Sequence, residues 1–306
     1  MKRPMSENEG VIVDREHDRL SRWSAKRRAY GELARWDRPI GAWLLFWPCA
    51  WGVALAPGPL AWWLLPLFAL GAFAMRGAGC TINDLVDRKL DGHVARTAGR
   101  PLPSGRVGPR EAVGFVFAQC AVGLVVLLSL PPAAQLVGWL AVPLVIAYPF
   151  MKRLTWWPQA FLGLTFNWGA LVGYTAAHGA LEAPALALYA AGIFWTLGYD
   201  TIYAHQDKED DAIVGIKSTA RLLGDRSMPF LWGVFAAMVA LLAAALALAG
   251  AGVVGFVGLA AVAAVLAREL HALDLDDGAA CLGRFRMNRD VGLVVFVVLL
   301  LGRIGT

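Results

Sequence analysis

Long apolar runs, separated by short polar segments, constrain this chain more than any other feature of its sequence. Of its 306 residues, 58% are hydrophobic and 17% are charged, and the mean hydropathy is +0.54. This composition is typical of a protein that crosses a membrane several times and excludes a soluble globular domain. Because the runs are too long and too continuous for barrel strands, we expect an all-α fold.

The apolar runs predict about nine membrane-spanning helices. The expected spans lie near residues 40–56, 60–82, 110–130, 134–150, 158–177, 182–205, 228–249, 252–270 and 290–304. Segments without Lys or Arg alternate with strongly basic segments between them. The positive-inside rule therefore places the N-terminus and the basic loops in the cytoplasm, with the C-terminus on the opposite side.

The N-terminal segment bears on where the chain resides. Because it has no apolar core, it does not resemble a signal peptide. Five acidic residues argue against a mitochondrial transit peptide: Glu7, Glu9, Asp14, Glu16 and Asp18. We therefore expect a multi-pass protein of the bacterial cell inner membrane, with a periplasmic C-terminus.

The same segment carries an amphipathic pattern. Its apolar residues are Leu20, Trp23, Tyr30 and Leu33, and basic residues lie between them. This pattern predicts a helix lying on the surface of an anionic leaflet. We expect two parts, a cytoplasmic segment of residues 1–34 and a transmembrane domain of residues 35–306.

Two acidic stretches each close a long apolar run. The first provides Asn83, Asp84, Asp87 and Asp91, and the second provides Asp200, Tyr203, Asp207 and Asp211. Aspartates in each stretch are spaced so that they share a helical face. Carboxylates at the ends of membrane helices need partners, and Mg²⁺ takes carboxylate together with phosphate oxygens. The stretches therefore predict a diphosphate held through Mg²⁺, and solvated charges capping helix ends are the alternative.

Basic residues adjoin the first acidic stretch and also form a segment between two later spans. The candidates for binding phosphate oxygens are Lys89, Arg96, Arg100, Lys152 and Arg153. A diphosphate carries more negative charge than one or two Mg²⁺ ions neutralise, and Arg and Lys can supply the remaining positive charge. Ordinary positive-inside loops are the alternative explanation.

Arg76 lies inside an apolar run, seven residues before Asn83 and therefore on the same helical face. An arginine at this depth needs an anionic partner. The sequence leaves two alternatives open. Arg76 pairs with an acid of the second stretch, or it receives the carboxylate of a substrate.

Several motifs resemble those of the UbiA superfamily of intramembrane prenyltransferases. The first motif of that family is similar to Asn83-Asp84-x-x-Asp87-x-x-x-Asp91, and the second to Asp200-x-x-Tyr203-Ala204-x-Gln206-Asp207-x-x-x-Asp211. Residues 35–48, 100–105 and 148–159 are similar to the 4-hydroxybenzoate polyprenyltransferase branch. The five blocks occur in the family's order and cover nearly the whole chain from Arg35 to Gly292.

The resemblance implies a helical bundle around a central cavity and a Mg²⁺-dependent enzyme of ubiquinone biosynthesis. The expected substrates are a polyprenyl diphosphate and 4-hydroxybenzoate, with the prenyl group attached ortho to the hydroxyl. The implied metal ligands are Asn83, Asp87, Asp91, Asp207 and Asp211. Arg76 or Arg38 would bind the benzoate carboxylate, Asp200 or Asp84 would accept the ring proton, and Tyr203 would hydrogen-bond within the second stretch. We expect membrane lipid around the chain, no nucleic acid and no obligate protein partner.

Other functions are alternatives. Asp91-Gly92-x-x-Ala95-Arg96 matches the opening of the CDP-alcohol phosphotransferase signature, but Pro109 and Val113 stand where that signature requires aspartates. A cation transporter would place its acids near the middle of the membrane. Within the superfamily, the acceptor could instead be naphthoate, homogentisate, haem or chlorophyllide. Gly250-x-Gly252-x-x-Gly255 has no strand before it, so close helix packing explains it better than dinucleotide binding.

Overall fold

The computed structural model describes residues 23–91, 97–209 and 215–304, except for the side chains of residues 89–91. Within these ranges the regular structure is helical, which confirms the predicted all-α membrane fold. The α-helices are α1 Ala25–Leu33, α2 Ile40–Leu55, α3 Leu64–Asp91, α4 Pro109–Leu128, α5 Pro132–Leu140, α6 Val142–Leu154, α7 Pro158–His178, α8 Ala183–Gln206, α9 Thr219–Leu223, α10 Ser227–Leu248, α11 Val253–His271 and α12 Gly278–Leu301.

Five helical segments of the described chain are long and apolar enough to cross a membrane: Leu64–Arg88, Pro109–Leu128, Pro132–Leu154, Thr219–Leu248 and Val253–His271. The remaining predicted spans coincide with α2, α7, α8 and part of α12. Helix α2 is apolar but has only 16 residues, whereas α7, α8 and α12 contain polar or charged side chains, as described below for α7 and α8. The count of nine spans stays a prediction.

The chain forms two compact units. Of the described residues, the first unit contains 23–39, 73–91 and 97–122, and the second contains 40–72, 123–209 and 215–304. Helix α1 groups with the polar end of α3 in the first unit. The predicted division into a cytoplasmic segment of residues 1–34 and a transmembrane domain of residues 35–306 stays a prediction.

The first unit has a small apolar core of its own. The buried residues are Ala29, Leu33, Leu102, Val107 and Ala112, with Tyr30, Leu85 and Phe115 packed against them. Leu33 is fully buried, and the rings of Tyr30 and Phe115 are 4.9 Å apart. Leu33 therefore packs against protein, and the predicted position of this helix on an anionic leaflet stays a prediction. Leu20, the first apolar residue of the amphipathic pattern, lies outside the described residues.

Helix α1 ends in a Schellman motif with an unusual residue. The Trp36 amide donates to Gly31 O at 2.8 Å and the Arg35 amide donates to Glu32 O at 3.1 Å, the hydrogen-bond pair that defines this motif. Arg35 has φ +60°, and it is the one non-glycine residue with positive φ in the described chain. A left-handed conformation costs a residue with a Cβ roughly 1–2 kcal/mol. Glycine would be the cheaper residue here, so the Arg35 side chain has another role.

The second unit is built on the close approach of α2 and α7. A Cβ on Gly52 would collide with Ala170 O and would lie 2.5 Å from Tyr174 N. A Cβ on Gly173 would collide with Cys49 O in the same way. Small residues let two membrane helices pack backbone to backbone, and these glycines do so here.

A short hydrogen-bond chain links polar residues of α7 and α8. Asn167 of α7 donates to Thr196 Oγ1 of α8 at 2.7 Å, and Thr196 donates to the Tyr199 hydroxyl at 3.2 Å. Satisfied hydrogen bonds remove most of the cost of burying polar groups away from water. Helices α7 and α8 can therefore carry these polar residues in the interior of the second unit.

Close packing also accounts for the glycine triplet at residues 250–255. The Gly252 amide donates to Gly302 O at 2.8 Å, and a Cβ on Gly255 would lie 2.7 Å from the Gly302 Cα. The triplet thus lets the start of α11 approach the end of α12, which supports the packing interpretation over a dinucleotide site.

Candidate active site

The C-terminal part of α3 presents its polar residues in different directions. Asn83 is exposed, Asp87 is half-buried and Asp84 is only 1% exposed. Asn83 and Asp87 are four residues apart, so their Cβ atoms lie about 5–6 Å apart on one helical face. Asp91 and Lys89 were also predicted site residues, but their side chains lie outside the described residues.

Asp84 is held by two arginines of the first unit. Arg35 Nη2 donates to Asp84 Oδ1 at 2.7 Å and to Oδ2 at 2.9 Å, and Arg100 Nη1 donates to Oδ1 at 3.3 Å. Both carboxylate oxygens are therefore already acceptors. This arrangement disfavours Asp84 as the proton acceptor, one of the two candidates for that role. Sequence reasoning missed Arg35, although it begins one of the family-like segments.

Arg100 belongs to a well-defined loop. Ser104 N donates to Arg100 O at 3.0 Å, Val107 N donates to Pro101 O at 3.0 Å, and Arg106 Nη2 donates to Gly99 O at 2.7 Å. These bonds fix the loop in which the Arg100 guanidinium contacts Asp84. Arg96 lies outside the described residues, so its predicted phosphate contact stays a prediction.

A second ion-pair group ties the same loop to α1. Glu32 contacts Arg106 Nη2 at 2.6 Å and Arg28 Nε at 3.1 Å. Burial on its own would raise the pKa of Glu32, but the hydrogen bonds and charges of Arg106 and Arg28 outweigh it, so the pKa lies below 4.5, its ordinary value. Glu32 therefore stabilises the first unit in its ionised form.

The two predicted acceptor-binding arginines differ in their surroundings. Arg76 is half-buried on α3, seven residues from Asn83, which corresponds to about 10 Å along a helix. The Arg38 side chain is 49% exposed and its Nε lies 2.9 Å from Asp37 Oδ2. A neighbouring carboxylate thus engages Arg38, whereas Arg76 lies along α3, and both stay predicted partners of a substrate carboxylate.

The second acidic stretch lies in the second unit, at the end of α8. Asp200 and Tyr203 are half-buried, and Asp207 caps the helix C-terminus. The rings of Tyr203 and Phe285 are 4.6 Å apart, so α12 restrains the Tyr203 side chain. Asp211 lies outside the described residues.

Lys152 and Arg153 occupy the last turn of α6, where positive charge is favoured by the helix dipole. Lys217 adjoins them, since its backbone amide donates to Lys152 O at 3.2 Å and its Nζ donates to Leu154 O at 3.3 Å. The Arg221 guanidinium lies 5.4 Å from the centre of the Trp156 ring. Sequence reasoning missed Lys217 and Arg221 because tertiary folding, not sequence proximity, brings them to α6.

The donor set is suited to Mg²⁺. Among the side chains that the structure describes, no three His, Cys, Asp or Glu residues form a ready-made metal cage. Mg²⁺ is usually held by one or two carboxylates together with phosphate oxygens and water. Asn83 and Asp87 offer amide and carboxylate oxygens of this kind in the first unit, and Asp207 offers a carboxylate in the second unit.

An all-helical membrane fold with such acidic and basic helix ends defines an integral membrane enzyme of the intramembrane prenyltransferase class. The chain belongs to the UbiA prenyltransferase family, whose sequence pattern matches residues 45–291. This confirms the family resemblance noted from the motifs.

Relatives similar to the chain carry a more specific name. It is 47% identical over 289 residues to "4-hydroxybenzoate polyprenyltransferase, mitochondrial" from Aedes aegypti, an alignment covering 91% of this chain and 64% of the relative. It is 48% identical over 281 residues to the protein of the same name from Arabidopsis thaliana, covering 90% and 69%.

Solved structures agree with the fold. A UbiA homologue from Aeropyrum pernix K1, solved in its apo form, superposes with a TM-score of 0.68 at 29% identity, covering 87% of this chain and 98% of that one. A UbiA homologue from Archaeoglobus fulgidus, bound to GPP and Mg²⁺, superposes with a TM-score of 0.63 at 19% identity, covering 89% and 99%.

The prediction of a bacterial inner membrane is wrong. The relatives are named as mitochondrial proteins of eukaryotes, which points to a mitochondrial membrane instead. Hydropathy and charge asymmetry identify spans and orient them in any bilayer, so these signals cannot tell one membrane from another.

Proposed function

We propose that this membrane enzyme transfers a polyprenyl group from polyprenyl diphosphate to the ring carbon ortho to the hydroxyl of 4-hydroxybenzoate, a step of ubiquinone biosynthesis. The observation that carries the proposal is the 47–48% identity to proteins named for this reaction. Acidic residues at the ends of α3 and α8 and basic residues at the end of α6, which resemble the motifs of the family, support it. Membrane lipid is the medium of the reaction, because the prenyl chain is apolar.

In the first unit, Asn83 and Asp87 are the proposed Mg²⁺ ligands, and Asp91 completes the motif. In the second unit, Asp207 and Asp211 have the same proposed role. The homologue from Archaeoglobus fulgidus that binds GPP and Mg²⁺ supports a divalent metal. Bound Mg²⁺ would supply positive charge to the departing diphosphate.

Basic side chains bind the remaining phosphate oxygens in this proposal. They are Lys89, Arg96, Arg100, Lys152 and Arg153. A guanidinium or ammonium next to a leaving diphosphate stabilises the charge that develops as the bond breaks. Arg100 is already positioned by its contact with Asp84, at 3.3 Å.

The transfer exchanges a carbon–oxygen bond for a carbon–carbon bond. The bond between C1 of the prenyl group and the diphosphate oxygen breaks, and its electron pair stays on the oxygen. The ring carbon ortho to the hydroxyl supplies the electron pair of the new carbon–carbon bond. The proton on that carbon passes to a base, for which we propose Asp200, since both oxygens of Asp84 accept from arginines. The apolar helices exclude water, which would otherwise capture the prenyl cation.

Arg76 is the proposed partner of the benzoate carboxylate. Its half-buried position on α3 is suited to a charge-assisted pair in a poorly hydrated site. The ring of Tyr203 packs on Phe285, and we propose that its hydroxyl hydrogen-bonds within the second acidic stretch, which contains Asp200 and Asp207.

The proposal is tested with the purified chain in lipid vesicles containing a polyprenyl diphosphate and Mg²⁺. The acceptors offered in parallel are 4-hydroxybenzoate, a hydroxynaphthoate and homogentisate, and products are identified by mass. We expect prenylated 4-hydroxybenzoate, no turnover in excess EDTA, and recovery on adding Mg²⁺. A higher kcat/KM for another acceptor, or full turnover in EDTA, would overturn the proposal.

A further inference from the structure

Asp84 lies between two proposed metal ligands in sequence but not in space. One helical residue corresponds to about 100° of rotation, so Asp84 points well away from the face shared by Asn83 and Asp87. Asp84 is buried, whereas Asn83 is exposed and Asp87 half-buried. Anchoring Asp84 therefore fixes the rotation of α3 about its axis, and with it the direction in which Asn83 and Asp87 point.

The anchor is Arg35. Its left-handed backbone conformation indicates that the side chain has a role beyond ending α1. Arg35 occupies the left-handed position of the Schellman motif, which glycine fills with less strain. Its guanidinium donates through Nη2 to both oxygens of Asp84 and through Nη1 to Glu32 O at 2.7 Å. A residue needed only to end α1 would require none of these contacts.

The same carboxylate also holds a proposed phosphate ligand. Arg100 Nη1 lies 3.3 Å from Asp84 Oδ1, and the loop around Arg100 is closed by backbone hydrogen bonds. Three segments of the first unit thus meet at one buried carboxylate: the end of α1, the end of α3 and the loop at residues 97–107. We call Arg35, Asp84 and Arg100 the Asp84 cluster.

We propose that Arg35 and Asp84 are positioning residues for the diphosphate, an inference that rests on the proposed prenyl transfer. They set the rotation of α3 that presents Asn83 and Asp87, and they hold the Arg100 guanidinium in the orientation in which it meets a phosphate oxygen. Neither residue accepts the ring proton.

Four variants test this role. Arg35→Gly removes the guanidinium and relieves the backbone, Asp84→Asn removes the charge at constant size, and the double variant combines both changes. Arg35→Lys keeps one positive charge without the forked geometry. Arg28→Ala is the matched control, because it removes another arginine of α1, whose Nε pairs with Glu32 at 3.1 Å.

Each variant is compared with the wild-type chain in vesicles by the KM for each substrate, kcat and melting temperature. We expect Arg35→Gly and Asp84→Asn each to raise the KM for polyprenyl diphosphate roughly 10–100-fold, as loss of an outer-shell partner does at metal sites. The KM for 4-hydroxybenzoate should change much less. The double variant should be no worse than the worse single variant, because both changes break one unit.

A wild-type KM for polyprenyl diphosphate in Arg35→Gly would overturn the inference and leave Arg35 as a helix-terminating residue. Additive losses in the double variant would also overturn it. If Arg35→Gly fails to fold, the KM for polyprenyl diphosphate is measured in Arg35→Lys and Asp84→Asn instead.

Amide exchange of residues 97–107 gives a readout independent of activity and should become faster in Asp84→Asn but not in Arg28→Ala. Absence of turnover in the wild-type chain would instead reject the proposed function.

Discussion

Trp195 Nε1 donates a 2.8 Å hydrogen bond to Asn288 Oδ1, and both side chains are buried between α8 and α12. Asn288 in turn donates to Arg284 O at 2.9 Å, so its amide is satisfied on both sides. An indole beside an amide is thus accommodated in the apolar interior of the second unit. Asn167 of α7 and Thr196 of α8 form a similar buried hydrogen bond. Such bonds let helices with polar residues pack inside a membrane protein.

Replacing Asn288 with leucine should destabilise the second unit. The Trp195 N–H would be left buried without an acceptor, which typically costs about 1–3 kcal/mol. Melting temperature in detergent measures the loss. Trp195→Phe combined with Asn288→Leu should recover part of it, because no donor is then left unsatisfied. Trp62→Phe, at an exposed tryptophan, is the control. Equal melting of Asn288→Leu and the control would contradict the expected coupling.

Adding a methyl group at Gly52 should separate α2 from α7. The new Cβ would meet Ala170 O and Tyr174 N, which are backbone atoms and cannot rotate away. We expect Gly52→Ala to cost about 1–3 kcal/mol, as overpacking usually does. Gly233→Ala is the matched control, because a Cβ there meets nothing within 4 Å. It should be neutral or stabilising by roughly 0.5–1 kcal/mol. A stable Gly52→Ala variant would show that the two helices pack less closely.

Removing either proposed metal-binding carboxylate should slow the chemistry rather than unfold the chain. We expect Asp87→Asn and Asp207→Asn each to lower kcat roughly 10²–10³-fold, the usual effect of losing one stabilising group for a developing negative charge. Raising the Mg²⁺ concentration should recover part of the rate. Asp225→Asn, at an exposed acid in a 3₁₀ turn, is the control. Wild-type kcat in both variants at low Mg²⁺ would exclude these residues as ligands.

Arg76→Ala should impair one substrate selectively. Loss of a buried partner for the benzoate carboxylate should weaken 4-hydroxybenzoate binding by about 2–5 kcal/mol, with a much smaller effect on polyprenyl diphosphate. Arg76→Lys should rescue poorly, because an ammonium lacks the planar fork. Arg38→Ala is the comparison and should have a small effect, since Asp37 already engages Arg38. Equal losses for both substrates with lowered melting would assign Arg76 a structural ion pair instead.

Acid should remove the contribution of Glu32 to stability. Its pKa is lowered in the folded chain because the hydrogen bonds and charges of Arg106 and Arg28 outweigh the effect of burial. A lowered folded pKa means that the stabilisation is complete above the unfolded value near 4.5 and is lost as the pH falls through the folded value. Glu32→Gln should therefore melt lower than the wild type at pH 7, with the difference shrinking as the pH falls below 4.5 and disappearing only below the lowered folded pKa. A difference that persists in acid would point to packing rather than charge, and Asp225→Asn serves again as the exposed control.

The sequence by itself determined the class of this protein. The apolar runs specified membrane helices, because hydropathy over about twenty residues is a property of each segment alone. The motifs around Asn83 and Asp207 identified the family by their resemblance to its motifs, which can be compared without knowing the fold. Neither conclusion required knowledge of which segments touch.

Only the tertiary structure decided what lies opposite each helical face. Asn83 and Asp84 are neighbours in one acidic motif, yet one is exposed and the other is enclosed by Arg35 and Arg100. Leu33 fits a lipid-facing pattern, yet it packs against Leu102 and Val107. Periodicity defines the faces of one helix, but it does not say what packs against each face. Lipid and a protein core are equally apolar, so an apolar face can meet either one. A buried arginine also looks the same in sequence as a solvated one.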